Sequence, residues 1–457
     1  MQEENREICP HFGLCGGCTY QDMSYEEQLE KKVSKVKDLM RPFAGDDVWE
    51  DAVFSPRIRG YRNKMEFSFG DDRKDGPLTL GLHQKKSFYN VITVDGCNIV
   101  DEDYRKILTA TLDFFGQRGI SYYHKRRQSG ALRHLVIRKA AKTGEILVLL
   151  AAASELLLYD GAGVRGLEKT PASENSLLRD FASELLSLTL DGEIAGILFA
   201  ENNLPADTVQ SQETTVLYGR DYFFEELLGL KFKITPFSFF QTNSLGAERL
   251  YSVVREYCGD IAGQKIFDLY SGTGTIAQIL ASVAERVTGV EIVEEAVVAA
   301  RENAARNGLE NCDFIAGDVF EVLSRAAGEA INAGKGTAAG EDTAAGSVLF
   351  APDFIVLDPP REGMTPKALS KILSYEVPRI VYVSCKPESL ARDMETLAAR
   401  GYQIRRIRCV DMFPWTKHCE TVCLLSNRKP DDTIKVSVNM DDYYQIRDAE
   451  EAEKNPS

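Results

Sequence analysis

The sequence predicts an α/β protein: a C-terminal Rossmann-like domain with a mostly parallel, doubly wound sheet, preceded by a cysteine knuckle and a β-rich central domain. Three observations carry this. From about Lys231 onward, short apolar runs alternate with helical patterns, the order that builds a parallel sheet. Between residues 52 and 230, strand-like runs such as MEFSFG, LTLGLH, HLVIRKA and EILVLLA follow one another with turn residues between them, which suits a mostly antiparallel sheet. At the front, CPHFGLCGGC (9–18) sets three cysteines among glycines.

The expected organisation is therefore a knuckle and helix over 1–51, completed by Cys97; a central domain over 52–230; the α/β domain over 231–430; and an acidic tail over 431–457. A helix is expected from about Ser24 to Met40, because Leu29, Val33, Val36, Leu39 and Met40 recur near helical spacing. In the α/β domain the strands are KIFDLY, RVTGVE, CDFIAGD, FIVLDPP and RIVYVSC, with helices from Ile276 and Glu294 and a closing pair of strands. The Ala/Gly-rich stretch 326–347 reads as a flexible surface insertion, and the last ten residues as disordered.

The composition is that of a globular chain, 44% apolar and 27% charged. It holds no run of about 18 apolar residues, so no membrane partner is expected. The start lacks the basic-then-apolar pattern of a secretory leader, which makes the cytoplasm the expected location. A net charge of −15 argues weakly against a nucleic-acid partner. Local charge argues the other way. Arg57, Arg59, Arg62 and Lys64 form one basic cluster; Lys125, Arg126, Arg127, Arg133, Arg138 and Lys139 a second; Arg405, Arg406 and Arg408 a third. A solvated face is the plainer reading of any one cluster. The aromatics within the first two, Tyr61, Phe67, Tyr122 and Tyr123, bring RNA binding level with it.

Ten cysteines in such a chain are not expected to form disulfides. Cys258, Cys312, Cys409 and Cys423 sit in apolar or mixed surroundings and read as core residues. Cys9, Cys15 and Cys18, with Cys97 farther on, are spaced like metal ligands and fit either iron–sulfur or zinc.

The chemistry concentrates in the α/β domain. DLYSGTG (268–274) leaves a strand, turns on glycine and opens a helix, so the backbone at Gly272 can approach a ligand closely. Glu291 ends the next strand, where a carboxylate takes ribose hydroxyls. Asp318 would lie near an adenine edge, although a surface carboxylate explains it nearly as well. Together these favour S-adenosylmethionine over a dinucleotide. Asp358-Pro359-Pro360-Arg361 ends a later strand, presenting a carboxylate and a rigid wall. Adenine-amino methyltransferases carry an aromatic residue in the fourth place of that turn; here it is Arg361, which points to another target atom. Cys385 ends the following strand, placed for nucleophilic attack, though a buried strand cysteine is the bland alternative. A pyrimidine carbon 5 accepts a methyl group only after a thiolate has added at carbon 6, and a base must then remove the carbon 5 proton. Glu420 is the candidate base and His418 its rival.

These pieces resemble the bacterial RNA uracil-5-methyltransferases, the RumA/RlmD and TrmA group. The resemblance rests on FFQTN (239–243), DLYSGTG (268–274), GVE (289–291), LDPPR (357–361), VSCKPESLARD (383–393) and DMFPWTKHCE (411–420), in that order. It implies methyl-donor contacts at Gln241, Tyr270, Glu291 and Asp358, Cys385 as nucleophile and Glu420 as base. It also implies a [4Fe–4S] cluster on Cys9, Cys15, Cys18 and Cys97, as in the branch that acts on 23S rRNA, and RNA binding by the central domain carrying GYRNKMEFSF (60–69). The small β-barrel (TRAM) that precedes the knuckle in that branch is not expected in this chain, where only a short segment stands before Cys9. The expectation is a monomeric enzyme making 5-methyluridine in 23S rRNA. The alternatives are the T-loop uridine of tRNA, or a non-catalytic RNA-binding or redox-sensing protein on the same fold.

Overall fold

The computed structural model describes residues 8–205, 209, 211–325 and 350–427; the Ala/Gly-rich stretch and the acidic tail lie outside the described residues. Helix α1 (Tyr25–Met40) opens on a capping box: the Ser24 hydroxyl accepts from the Glu27 backbone, and the Glu27 carboxylate accepts from the Ser24 backbone.

The first sheet contains β1 (Lys64–Gly70), β2 (Thr79–His83), β3 (Val91–Thr93), β4 (Leu132–Lys139), β5 (Glu145–Ala152), β6 (Glu193–Glu201) and β7 (Glu213–Gly219). Its order is β3-β2-β1-β4-β5-β6-β7. Every pairing is antiparallel except β5 with β6. Helices α2 (Glu102–Gln117) and α3 (Ser176–Leu186) supply Phe114, Phe115 and Phe181 to its core. A hairpin, β8 (Phe223–Leu227) with β9 (Leu230–Ile234), leads to α4 (Ser244–Cys258).

The second sheet contains β10 (Lys265–Leu269), β11 (Arg286–Glu291), β12 (Cys312–Ala316), β13 (Phe354–Leu357), β14 (Arg379–Ser384), β15 (Gln403–Val410) and β16 (Glu420–Ser426), in the order β12-β11-β10-β13-β14-β16-β15. The first five are parallel, and β16 runs antiparallel to both neighbours. Helices α5 (Thr275–Ala281), α6 (Glu294–Arg306), α7 (Pro366–Leu373) and α8 (Pro387–Ala399) flank it. All four residues of β13 are buried, as expected of a strand covered on both faces. Strand order reverses between β10 and β13, where Leu269 lies beside Leu357. A crevice opens beyond the carboxyl ends at such a switch point. No helix among the described residues is long and apolar enough to cross a membrane.

The loop between β15 and β16 is tied to α1. Lys32 Nζ lies 2.8 Å from Asp411 Oδ1, with both side chains fully buried, and also reaches the Phe413 carbonyl at 3.0 Å. Gln28 donates to the other Asp411 oxygen at 3.0 Å. Lys32→Ala leaves a buried carboxylate with only the neutral Gln28 amide and Tyr25 phenol as partners. It is expected to cost about 3–5 kcal/mol in unfolding free energy, measured by urea denaturation. A cost below about 1 kcal/mol would show that water replaces the ammonium.

Much of the basic sequence is internal. Arg133 is buried and donates to the Asn202 and Leu204 carbonyls; Arg138 is buried and donates to the Ser238 carbonyl. Lys139 bridges Asp101 and Asp103 at 2.7 Å each. Arg406 and Arg408 pair with Glu50 and Glu256. Tyr61 and Phe67 belong to the core, with the Tyr61 hydroxyl on the Pro414 carbonyl. These residues, read from the sequence as candidates for RNA, instead satisfy buried backbone, pair internal charges and fill the core.

Candidate active site

The glycine loop is shaped by left-handed backbone. Tyr270 (φ 67°), Gly272 (φ 55°) and Gly274 (φ 73°) turn the chain from β10 into α5. A Cβ on Gly274 would lie 2.4 Å from the Phe314 ring, so only glycine fits there. A Cβ on Gly272 would meet only the Phe239 ring, at 3.9 Å, so that side of the loop is open to a ligand. The backbone N–H groups of Tyr270 and Ser271 both donate to the Val290 carbonyl, which fixes the turn against β11. Holding non-glycine Tyr270 in this region stores strain of a kind found at functional sites.

Glu291 stands at the end of β11, accepting from the Gly272 N–H at 2.9 Å and the Val293 N–H at 3.0 Å. Asp318 is exposed and accepts from the Glu321 N–H at 3.2 Å, so its hydrogen bond is that of a helix cap. Its charge, after burial, helps push the Tyr270 phenol up to about 12. Asp268 is fully buried. One oxygen accepts from the Ala277 N–H at 2.9 Å and the other, among the described residues, has no partner. Burial, followed by the Asp358 and Glu291 charges, pushes its carboxyl up to about 8.

Asp358 follows β13 directly, and its N–H reaches the Leu269 carbonyl at 3.3 Å, so the DPP turn abuts the glycine loop. Burial pushes its carboxyl up to about 7. Cys385 follows β14 and is half-buried. Burial, then the Glu420 and Asp358 charges, push its thiol up to about 11, while the Arg361 guanidinium, hydrogen-bonded to the sulfur, pulls it back. Glu420 opens β16 and is 4% exposed; burial, then Asp358, push it up to about 8 against Arg361. His418 is held below the ordinary histidine value by burial, then by Arg361. The second sheet thus brings Cys385, Glu420, Asp358, Arg361 and His418 into one electrostatic cluster.

Gln241 joins them from the first sheet's side. Asn63, just before β1, donates its side-chain amide to the Gln241 carbonyl at 3.0 Å and its backbone N–H to Thr242 at 2.8 Å. The Gln241 side chain hydrogen-bonds the phenol of Tyr251, a buried residue of α4 whose neighbours include Asp358, Asp268 and Glu420. Asn63, Tyr251 and Asp268 were not singled out from the sequence. Asp268 lies in DLYSGTG and Asn63 in GYRNKMEFSF, but neither was given a role, and Tyr251 carried no signal.

Cys9, Cys15, Cys18 and Cys97 are free thiols lining one small cavity with Leu82, Val94 and Ile99. Cys15 accepts from the Gly17 N–H at 3.2 Å, Cys18 from Gln21 Nε2 at 3.3 Å, and Cys97 from the Ile99 N–H. Burial pushes Cys18 up to about 11 and Cys97 up to about 12. No group of three or more His, Cys, Asp or Glu among the described residues forms a ready site for a metal ion. The knuckle runs into Thr19 and Tyr20, whose N–H groups donate to the Trp415 carbonyl at 2.7 and 3.0 Å. Trp415 is buried in left-handed backbone (φ 67°), its indole donating to Ile58 at 2.6 Å. The knuckle therefore braces the loop that ends at Glu420.

The family model described as tRNA (Uracil-5-)-methyltransferase matches residues 207–428. An RNA methyltransferase, TTE1797, of Caldanaerobacter subterraneus subsp. tengcongensis is 44% identical over 422 residues, covering 91% of this chain and 84% of its own. One from Clostridium tetani is 45% identical over 416 residues, covering 91% and 82%. The crystal structure of Pyrococcus abyssi tRNA (uracil-54, C5)-methyltransferase in complex with S-adenosyl-L-homocysteine aligns with a TM-score of 0.67 at 27% identity, covering 91% of this chain and 86% of that one.

Proposed function

Because the chain belongs to the RNA uracil-5-methyltransferase family and is an S-adenosylmethionine-dependent RNA methyltransferase, we propose that it makes 5-methyluridine in 23S rRNA through a covalent Cys385 adduct. The observation that carries the mechanism is the placing of a half-buried thiol, hydrogen-bonded to Arg361, beside the Glu420 carboxyl and the DPP turn. The Cys385 thiolate, stabilised by the Arg361 guanidinium, adds to carbon 6 of an extruded uracil. The ring electrons move to the enolate, and carbon 5 attacks the sulfonium methyl, releasing the thioether. Glu420 takes the carbon 5 proton, and the returning electrons expel the thiolate. Gln241, Tyr270, Gly272, Glu291, Asp318 and Asp358 surround the methyl donor in this reading, with Glu291 turning from the loop amides to ribose hydroxyls. Extrusion of the base costs a few kcal/mol, least in a loop, so the target is an unpaired uridine.

The cysteine knuckle favours 23S rRNA; the tRNA substrate named for the Pyrococcus abyssi neighbour favours the tRNA T-loop. Mass mapping of 5-methyluridine in rRNA and tRNA from a strain lacking the gene decides between them. Loss from 23S rRNA alone is expected, and loss from tRNA alone refutes it. We also propose that the enzyme works as a cytoplasmic monomer, with the domain division at residues 51, 230 and 430.

The four cysteines suit a [4Fe–4S] cluster in their all-thiol donor set, shared cavity and N–H···S bonds. A single zinc, the alternative, needs four sulfurs about 2.3 Å from one point. The cluster would hold the knuckle, and through Thr19 and Tyr20 the Trp415 loop, without entering the methyl transfer. Anaerobically purified protein is expected to carry about four iron and four sulfide per chain; zinc in place of iron would reassign the site.

The raised carboxyls give a pH prediction. In the unliganded enzyme Asp358, Asp268 and Glu420 ionise near 7 to 8, so the site gains negative charge as pH rises through that range. A cationic sulfonium is held more tightly by the ionised site, whereas the neutral thioether product is not. Affinity for S-adenosylmethionine is expected to rise about tenfold between about pH 6 and 8.5, and that for S-adenosylhomocysteine much less. Equal pH dependence by calorimetry would place the carboxyls away from the sulfur.

A further inference from the structure

Two short segments of the first sheet's rim meet at the surface. The loop between β2 and β3, QKKSFYN (84–90), holds Lys85, Lys86, Phe88 and Tyr89; the turn before β4, HKRRQ (124–128), holds Lys125, Arg126 and Arg127. They carry five cations and no acidic residue of their own, in a chain of net charge −15; Arg127 is drawn to a neighbouring carboxylate, Asp75, at 3.9 Å. Phe88 is 86% exposed and Tyr89 65% exposed. Arg126 lies over the Tyr89 ring, 5.1 Å from its centroid, and donates to the Tyr89 hydroxyl at 3.1 Å.

The arrangement is preformed. Gln84 and Asn90 pair across the loop at 2.9 Å, Ser87 donates to the Gln84 carbonyl at 2.9 Å, and the Ser87 hydroxyl accepts from Tyr89 and Asn90. Lys85 donates its backbone N–H to Leu14 at 2.7 Å, fastening the loop to the cysteine knuckle. Two aromatic rings held in water beside cations, on a loop with little left to order, are what stacking on unpaired bases requires. A duplex buries its base faces and offers such rings nothing to stack on.

We propose that this rim is a docking surface for a single-stranded RNA segment outside the reacting uridine, with Phe88 and Tyr89 stacking on bases and Lys85, Lys86 and Arg126 facing phosphates. It rests on RNA being the substrate and adds where that RNA is gripped beyond the catalytic crevice. The rim contains neither Tyr61 nor Phe67, and takes only the exposed part of the second basic cluster.

The test compares wild type with a Phe88→Ala/Tyr89→Ala variant and a Lys85→Glu/Lys86→Glu variant. Fluorescence anisotropy is read with an unstructured RNA of about 20 nucleotides and with a duplex of the same length. The aromatic variant is expected to bind the single strand at least about tenfold more weakly while duplex affinity stays within twofold. The charge variant is expected to flatten the salt dependence by about 1.4, two phosphate contacts' worth. With total RNA from the deletion strain, both variants should raise KM and keep kcat, and all four side chains are exposed enough that the melting temperature should not move. Unchanged single-strand affinity and KM in both variants would overturn the proposal and leave the rim to a protein partner. If wild type methylates nothing in that RNA while the binding losses stand, the target reading fails and the docking surface survives.

Discussion

Replacing Cys385 with alanine is expected to abolish methyl transfer, lowering the single-turnover rate by at least about ten-thousandfold, the scale seen when an obligatory nucleophile is removed. Carbon 5 of uracil is too weakly nucleophilic to take the methyl group unaided, and in the proposed mechanism thiolate addition at carbon 6 supplies the missing electron density. The site leaves no close substitute. Cys419, the thiol beside Glu420, is buried and donates to the Val410 carbonyl. Binding of RNA and of the methyl donor should persist within a few-fold, because the Cys385 side chain is small and half-buried. The measurement is transfer of labelled methyl to total RNA from the deletion strain, run beside equilibrium binding. Residual activity near one tenth of wild type would mean that the ring is activated some other way.

The second large effect concerns the base. Glu420→Gln keeps the shape of the side chain and removes its proton affinity, so methyl transfer should proceed once and stop before release. Turnover is expected to fall by about a hundredfold to ten-thousandfold, with a denaturant-stable protein–RNA band accumulating in place of product. Burial and Asp358 push the Glu420 carboxyl up to about 8, so it is a stronger base than an exposed glutamate. The rival, His418, is held below the ordinary histidine value and is neutral near pH 7, hence also able to accept a proton. The two assignments part cleanly. If Glu420→Gln turns over normally and His418→Ala accumulates the band, the base is the histidine.

The fold and the candidate site groups were legible because both sit in local patterns. Leu29, Val33, Val36 and Met40 recur at helical spacing in α1, and DLYSGTG, LDPPR and VSC each place a candidate site residue immediately beyond a buried strand. A strand end in an open α/β sheet is a site by position, so Asp358 and Cys385 could be picked out before any distance was known. The roles of Tyr251 and of Asn63, the latter inside GYRNKMEFSF, could not be read. Each is an ordinary polar residue whose role exists only because α4 and the start of β1 converge on Gln241. Two residues of the second basic cluster are internal for a related reason. Arg133 and Arg138 flank the buried run Leu135-Val136-Ile137 on β4, and both reach inward to carbonyls of distant segments. Strand periodicity says which face a residue shares; it does not say whether that face meets water or another part of the chain.

The most direct test is the mass of the peptide containing residue 385 after Glu420→Gln protein has been incubated with S-adenosylmethionine and total RNA from the deletion strain, then digested with nuclease and protease. The account predicts that peptide bearing one methylated uridine nucleotide on the cysteine sulfur. An unmodified peptide alongside freshly methylated RNA, or an adduct on another residue, would contradict it.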